Sequence, residues 1–425
     1  MTSLAVMAPG SRKPGRARFV DDAAYWGGID DAVARAGLAA PVLALDLSAL
    51  EHNIADLRRR AGGVPIRVAS KSLRIRSVIE DVLGRDGYAG VLAYSLDEAR
   101  WLATSAGVDD VLLGYPTANR PAITALLADD DALSRVTLLI DDPAQLDLID
   151  AVAGPDRRRR LRVAMDLDAS LRGLGGRLHL GVRRSPVHDL SQVRSLARTI
   201  TERDGFELVG VMSYEAQVAG VGNGVPGKTM MNTAVRAMQA VSMTELRHRR
   251  SRAIAAIGEY ADLAFVNAGG TGSLEATAKD PAITDIAVGS GLLGGHLFDT
   301  YRHFRPAPAL AFGLDVVRRP GPGYVTCLGG GWIASGPPGP DRLPKPVWPT
   351  GLRYVPTEAA GEVQTPLHGE VTDLQIGSRV WFRHTKSGEV CERADAVALI
   401  ARADDGSTEV VDVVPTYRGE GRCFL

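Results

Sequence analysis

The first residue in this sequence whose placement could do chemistry is a lysine at the end of an apolar run. Lys71 closes RVASKS. Desolvation at such a place lowers the proton affinity of an amine and favours the neutral form that attacks a carbonyl to give an imine. The same position also fits a lysine that only caps a strand at the surface. Two glycine-rich turns, NAGGTGS (267–273) and VGSGLLGGH (288–296), each follow an apolar run as well. Glycines there let backbone N–H groups approach an anion such as a phosphate. Taken singly, each also reads as a tight strand-to-helix turn.

The elements that must position these residues follow a βα rhythm from residue 41 to about 300. Nine apolar runs read as strands: 41–47, 65–70, 90–95, 110–115, 136–141, 161–168, 208–214, 263–269 and 285–290. Helical stretches such as SLDEARWLATSA and the long segment Thr229 to Glu259 lie between them. Most runs are continuously apolar, as in parallel strands buried on both faces. Nine is one too many for an eight-stranded barrel. With 41–47 set aside, Lys71 ends barrel strand one and the glycine turns follow strands seven and eight, where barrels commonly build a phosphate site. An imine-forming lysine and a phosphate cradle together suit pyridoxal 5'-phosphate (PLP). Past residue 305 helical periodicity fades, Pro and Gly become frequent, and GYVTCL, SRVWFRH, AVALIA and EVVDVVPTY read as antiparallel strands. The expected organisation is an extension (1–40), a (β/α)8 TIM barrel (41–300) and a C-terminal antiparallel β domain (301–425).

Composition excludes several classes. Of 425 residues, 45% are hydrophobic and 23% charged, which is globular rather than disordered or fibrous. The 49 Lys and Arg nearly balance 50 Asp and Glu, so no global field draws the chain to nucleic acid or an anionic membrane. The run Arg157–Arg160 reads as a solvated loop. Three cysteines, Cys327, Cys391 and Cys423, argue against a disulfide framework and for a reducing compartment. With no signal-like N-terminus and no window of about eighteen apolar residues, a cytoplasmic location is expected.

PVLALDLSALEHNI, the lysine of RVASKS, GGTGS, MSYEAQ and LHGEV…IGSRVWFRH, in this order and spacing, resemble the D-threonine aldolase and D-serine dehydratase-like group of fold type III PLP enzymes, which share the alanine racemase N-terminal barrel. The resemblance spans roughly residues 40 to 425. It implies that strand 41–47 joins the C-terminal β domain, and that Lys71 forms the internal aldimine. It further implies that the backbone around Gly270, Thr271, Gly272 and Ser273, with Ser290 and Gly291, holds the phosphate, that Tyr214 lies near the pyridine ring, and that the protein is a homodimer. The sequence departs from the group at Ala69, where a His is common, at His179-Leu180-Gly181-Val182 in place of Arg-X-Gly-Val, and at Leu293 in place of a Tyr.

Relatives in that group bind a divalent metal, zinc or manganese, through His-X-Cys or His-X-Asp. Here His384 is present, but Lys386 stands at the second place. A lysine ammonium cannot ligate a metal, although it supplies a fixed charge or a proton toward a leaving hydroxyl. Cys391 reaches His384 only if a hairpin at Ser387-Gly388 brings it back. Glu389 and Glu392 read equally as solvated charges, His368 as a structural or site histidine, and Arg418 in TYRGEG as a carboxylate contact or part of a closing turn. The resulting expectation is a PLP-dependent lyase on a small D-β-hydroxy amino acid, with Lys71, His384 and Lys386 catalytic. The alternatives are a racemase of the same fold with Tyr354 or Tyr417 as second base, a PLP-binding homeostasis protein, and a barrel using Lys71 without PLP.

Overall fold

The computed structural model describes residues 23–173, 175, 177–403 and 407–425. Residues 1–22 of the expected extension lie outside them. The chain forms two compact units. One takes the described residues up to Asp56 with Ser72–Val82 and Gly289–Cys423, and the other Leu57–Lys71, Leu83–Val288 and Phe424–Leu425.

In chain order the strands are β1 (Val42–Asp46), β2 (Ile66–Ala69), β3 (Tyr88–Ala93), β4 (Val111–Leu113), β5 (Val136–Ile140) and β6 (Leu161–Asp166). A short hairpin, β7 (Leu171–Gly173) and β8 (Leu178–Leu180), precedes β9 (Phe206–Ser213), β10 (Phe265–Ala268) and β11 (Asp285–Val288). The remainder are β12 (Leu310–Gly321), β13 (Tyr324–Leu328), β14 (Lys345–Trp348), β15 (Arg353–Tyr354), β16 (Gln364–His368), β17 (Arg379–Arg383), β18 (Ala396–Arg402) and β19 (Thr408–Pro415).

The second unit is a closed parallel barrel in the order β10-β11-β2-β3-β4-β5-β6-β9. Its continuously apolar strands fill it with side chains, among them Leu112, Leu139, Ala164, Met212 and Phe265. Gly210 is required there, because a Cβ would stand 2.3 Å from the Phe265 ring. Buried Arg67 on β2 bonds Asp285 on β11 at 2.8 Å and so ties the strands that close the barrel. Capping residues start the helices where polar residues follow strands. Ser95 accepts from the Glu98 N–H before Leu96–Ser105, and Asp142 with Gln145 forms a capping box at Pro143–Asp150.

The first unit carries a nine-stranded sheet, with β15-β16-β13-β12-β1-β18-β19 in order and β17 linking β14 to β12. β1 therefore belongs to the C-terminal sheet, as expected. It pairs antiparallel with β12 but parallel with β18, so the sheet is mixed rather than wholly antiparallel. A helix the sequence reading had left unassigned, Ala23–Arg35, buries Tyr25, Trp26, Ile29, Ala32 and Val33. Spacing of three and four residues makes that one face.

The basic run is exposed as expected at Arg157, Arg159 and Arg160, but not at Arg158. The Arg158 side chain is fully buried, pairs with Asp150 at 2.7 Å and lies 4.3 Å over the Phe206 ring. No helix among the described residues is long and apolar enough to cross a membrane.

Candidate functional site

Lys71 sits in a single 3-10 turn, Ser70–Ser72, directly after β2, at the C-terminal end of the barrel strands. Its Nζ donates to the Tyr115 hydroxyl at 3.0 Å. The expectation that Lys71 is shielded from water is not met, since the residue is exposed. The chain emerges from the barrel wall as soon as the strand ends, and the long side chain follows it out.

Tyr115 leads to the rest of the cluster. The Arg184 guanidinium lies 5.9 Å from the Tyr115 ring centre and 5.5 Å from that of Tyr214, so one cation bridges two aromatic faces. Tyr214 follows β9, and burial pushes its phenol up to about 12, so it keeps its proton at neutral pH. A Cβ at Gly270 would stand 3.2 Å from the Tyr214 ring, so the glycine lets the backbone lie against that ring.

The turn holding Gly270 is fixed from two sides. Gly269 has φ +78 and would meet Ile286 at 2.6 Å if it bore a Cβ, so only glycine fits. Fully buried Glu215 accepts from the Gly269 N–H at 3.3 Å, the Ser273 hydroxyl at 2.8 Å and the Thr277 hydroxyl. It also pairs with buried Arg250 at 2.6 Å. Burial alone would raise its pKa, but Arg250 and the two hydroxyls hold the carboxyl below the usual value. On the other side, Arg60 donates to the Thr271 carbonyl at 2.7 Å and grips Glu275 with two nitrogens. Inside the turn the Gly270 N–H already bonds Ser273 Oγ and the Ser273 N–H the Gly270 carbonyl. Of the four expected phosphate-facing N–H groups, these bonds take those of Gly270 and Ser273.

The sequence reading missed Asp166 at the end of β6. Burial first, then the nearby charge of Asp141, pushes its carboxyl up to about 8 against the opposing pull of Arg184. Asp168, two residues on, is held low instead: burial opposes ionisation there, but bonds from Ser170 and Arg172 overcome it. An acid ending an apolar strand at the C-terminal rim was the available signal. Two neighbouring carboxyls with separated proton affinities are a recurring source of acid and base roles.

Ser290 and Gly291 start a helical turn, Ser290–Leu293, after β11 and belong to the sheet-bearing unit. There the Ser290 carbonyl lies 3.1 Å from Ser387 Oγ. Buried His384 places Nδ1 3.0 Å from the Leu310 carbonyl and Nε2 2.9 Å from Ser387 Oγ. Because a carbonyl only accepts, Nδ1 carries the proton, and the single Ser387 hydroxyl proton is shared between Nε2 and the Ser290 carbonyl. Burial, then Arg383, lowers its pKa to about 3, so the ring is neutral. Lys386 Nζ donates to the Ser335 carbonyl at 2.9 Å.

In place of the hairpin that would bring Cys391 back at Ser387-Gly388 stands a 3-10 turn, Glu389–Arg393, entered through Gly388 at φ +103. It buries Cys391, whose thiol is pushed up to about 12 by burial and keeps its proton. Zinc or manganese does not fit this donor set. Both His384 nitrogens have partners, and no group of three or more His, Cys, Asp or Glu among the described residues has metal-holding geometry.

Other expected residues are spent in the fold. Tyr354 donates to the Pro344 carbonyl at 2.7 Å, Tyr417 is fully buried, and Arg418 pairs with Asp395 at 2.8 Å. His368 pairs with Tyr324 and Arg353 across the sheet.

Residues 45–270 match the model of the family described as alanine racemase, N-terminal domain. No curated protein matches the chain in sequence. Among solved structures, D-threonine aldolase from Filomicrobium marinum superposes with a TM-score of 0.71 at 18% identity, over 90% of this chain and 97% of that one. D-threo-3-hydroxyaspartate dehydratase from Delftia sp. HT23 gives 0.65 at 18% identity, over 89% and 97%. An alanine racemase-like protein from Idiomarina loihiensis gives 0.66 at 14% identity, over 90% and 98%. At these identities the likeness is one of fold, and the resemblance read from the sequence to the fold type III group holds at that level.

Proposed function

From the premise that this chain belongs to the family of the alanine racemase N-terminal domain, we propose that it is a PLP-dependent lyase acting on a small D-β-hydroxy amino acid. The observation that carries the cofactor is one continuous cluster in the barrel unit. An amine (Lys71), two tyrosine rings bridged by a guanidinium (Arg184), and a glycine turn laid against one of those rings adjoin in that order. Gly270 leaves room beside the Tyr214 ring that a Cβ would fill, which suits a flat aromatic group, and the Gly272 N–H suits its phosphate.

When bound, PLP supplies an electron sink for the bonds at the substrate Cα. Lys71 would hold the cofactor through its amine, and the same amine would be the candidate acceptor for the proton on Cα. Arg184 holds a positive charge over the tyrosine rings. Asp166 keeps a proton at neutral pH, and Tyr214 keeps its phenol proton.

The reading favours a lyase over a racemase because a racemase needs a second base, and both tyrosines offered for it are withdrawn, Tyr354 by its bond to Pro344 and Tyr417 by burial. D-threonine aldolase and D-threo-3-hydroxyaspartate dehydratase among the similar structures support the same choice. The test is the purified holoprotein with D-threonine, D-serine, D-3-hydroxyaspartate, their L-forms and both alanines. Aldehyde with glycine, or keto acid with ammonia, is expected from D-β-hydroxy substrates alone. Racemisation without either product overturns the lyase reading, and no turnover on the whole panel leaves a PLP carrier instead. Lys71→Ala is expected to abolish visible absorbance and keep the circular dichroism spectrum; a retained band removes PLP from Lys71. Light scattering at the dimer mass is expected.

A further inference from the structure

Within the sheet-bearing unit lies a cavity of about 230 Å³ beside His384. Three cationic side chains, Arg74, Lys386 and Arg393, and two carboxylates, Glu389 and Glu392, line it. Both carboxylates are committed. Glu392 bonds Arg74 at 2.8 Å, and Glu389 accepts the Ser335 N–H at 3.0 Å. The same Ser335 peptide accepts Lys386 through its carbonyl, which fixes the lysine chain toward the cavity wall. One wall is apolar, with the Trp332 indole held against the Phe312 ring at a centroid distance of 4.2 Å.

Arg74 adds an independent signal. It is a buried arginine with φ 54, in the left-handed region that residues with a Cβ rarely adopt. Its carbonyl is fixed by the Tyr417 N–H at 2.9 Å. Such strain persists where the surroundings over-determine it, and it clusters at ligand sites.

We propose that this cavity binds the carboxylate of a small organic acid, with Lys386 and Arg393 as its ion partners and Trp332 against its carbon skeleton, and that it is not a divalent-cation site. A net excess of one cation favours a single carboxylate and repels a dication. A planar guanidinium offers paired donors to a planar carboxylate, whereas a lysine supplies a point charge, so together they set both orientation and sign. The proposal does not rest on the functional reading above, and its binding test reads out separately from turnover.

The test is calorimetric titration of the holoprotein with malonate, with malonamide as the uncharged isostere. Malonate is expected to bind and malonamide not to. Lys386→Met and Arg393→Met are each expected to weaken malonate about tenfold to a hundredfold, the usual loss of a charge-assisted hydrogen bond. Arg393 is exposed and Lys386 half-buried, so unchanged melting temperatures are expected and show that the variants fold. Equilibrium dialysis against manganese and zinc is expected to leave the chain metal-free at this cavity. Wild-type malonate affinity in both variants overturns the proposal. So does stoichiometric metal uptake lost in His384→Ala. If malonate competes with the amino-acid substrate, the carboxylate is borne by the substrate; if it inhibits non-competitively, it comes from a separate ligand. Either result supports the carboxylate site.

Discussion

Glu215→Gln changes a single oxygen to an NH2 group, yet all four groups facing that carboxylate are donors. One oxygen takes the Ser273 and Thr277 hydroxyls, the other Arg250 and the Gly269 N–H. The amide NH2 can be met only if the Ser273 and Thr277 hydroxyls turn from donors to acceptors, and Arg250 loses its nearest counter-charge. Breaking a buried pair from one side costs about 3–5 kcal/mol. Arg250 keeps the Ser213 carbonyl at 2.5 Å and Asp280 at 3.4 Å, so the lower figure, about 3 kcal/mol, is the better guide.

A domain with roughly 5–15 kcal/mol of stability survives that loss, so the variant folds but melts lower. The lost hydrogen bonds are those that hold the glycine turn, so PLP affinity, followed by visible absorbance on titrating apoprotein, is expected to fall more than about tenfold. Glu215→Leu combined with Arg250→Met separates the two effects. Removing both charges restores much of the stability, as apolar replacements of buried pairs often do. The turn stays unsupported and affinity stays low. In the wild type the Glu215 contribution is present above the ordinary carboxylate range and is lost only as pH falls through its depressed value. Wild-type PLP affinity in Glu215→Gln would refute the reasoning, because the network would then not be what positions the turn.

Gly270→Ala presses a methyl onto the Tyr214 ring and is expected to weaken PLP binding several-fold with little change in melting temperature; a fall in melting temperature without a change in affinity would count against the cradle. Asp166 has a folded-state pKa of about 8, well above the unfolded value, so the folded chain binds the extra proton and stability drains away as pH rises from about 4 to 8. Asp166→Asn removes that loss, so its urea midpoint should exceed that of the wild type more at pH 8 than at pH 5, and an equal difference at both values sinks the assignment. Arg158→Ala, which leaves Asp150 to Arg203 alone and uncovers Phe206, is expected to cost about 1–2 kcal/mol by chemical denaturation, whereas Arg157→Ala in the same basic run should fall within about 0.5 kcal/mol.

The barrel was legible because its strands are apolar throughout, a pattern that survives any tertiary context. The surplus strand was informative for the same reason: Val42–Asp46 reads like a barrel strand because it too is buried on both faces, between β12 and β18. The hairpin of β7 and β8 escaped notice because three half-buried or exposed residues per strand leave no periodicity to count. The helix Ala23–Arg35 carried a readable apolar face, interrupted by Gly27 and Gly28 that lower helix propensity.

Site residues divided along the same line. Lys71 and the GGTGS turn are local, so they could be found, but the exposure of Lys71 depends on where the barrel rim ends. Asp166 owes its proton to Asp141, and Glu215 its importance to Arg250 and Thr277, which are 25, 35 and 62 positions away. No spacing rule reaches that far. The position of Cys391 depends on Gly388, which starts a 3-10 turn where the sequence also allows a hairpin.

The pairing of β1 has a consequence for biosynthesis. Leu43 pairs with Phe312 on one side and Val397 on the other. At roughly 5–20 residues per second, a ribosome needs about 15 to 70 seconds after making Leu43 to deliver those partners. Throughout that interval an apolar strand presents two unpaired edges, which is the template on which nascent chains aggregate. A chaperone that shields residues near Val42–Asp46, or a slower supply of competing chains, should therefore raise soluble yield more than any change within the barrel.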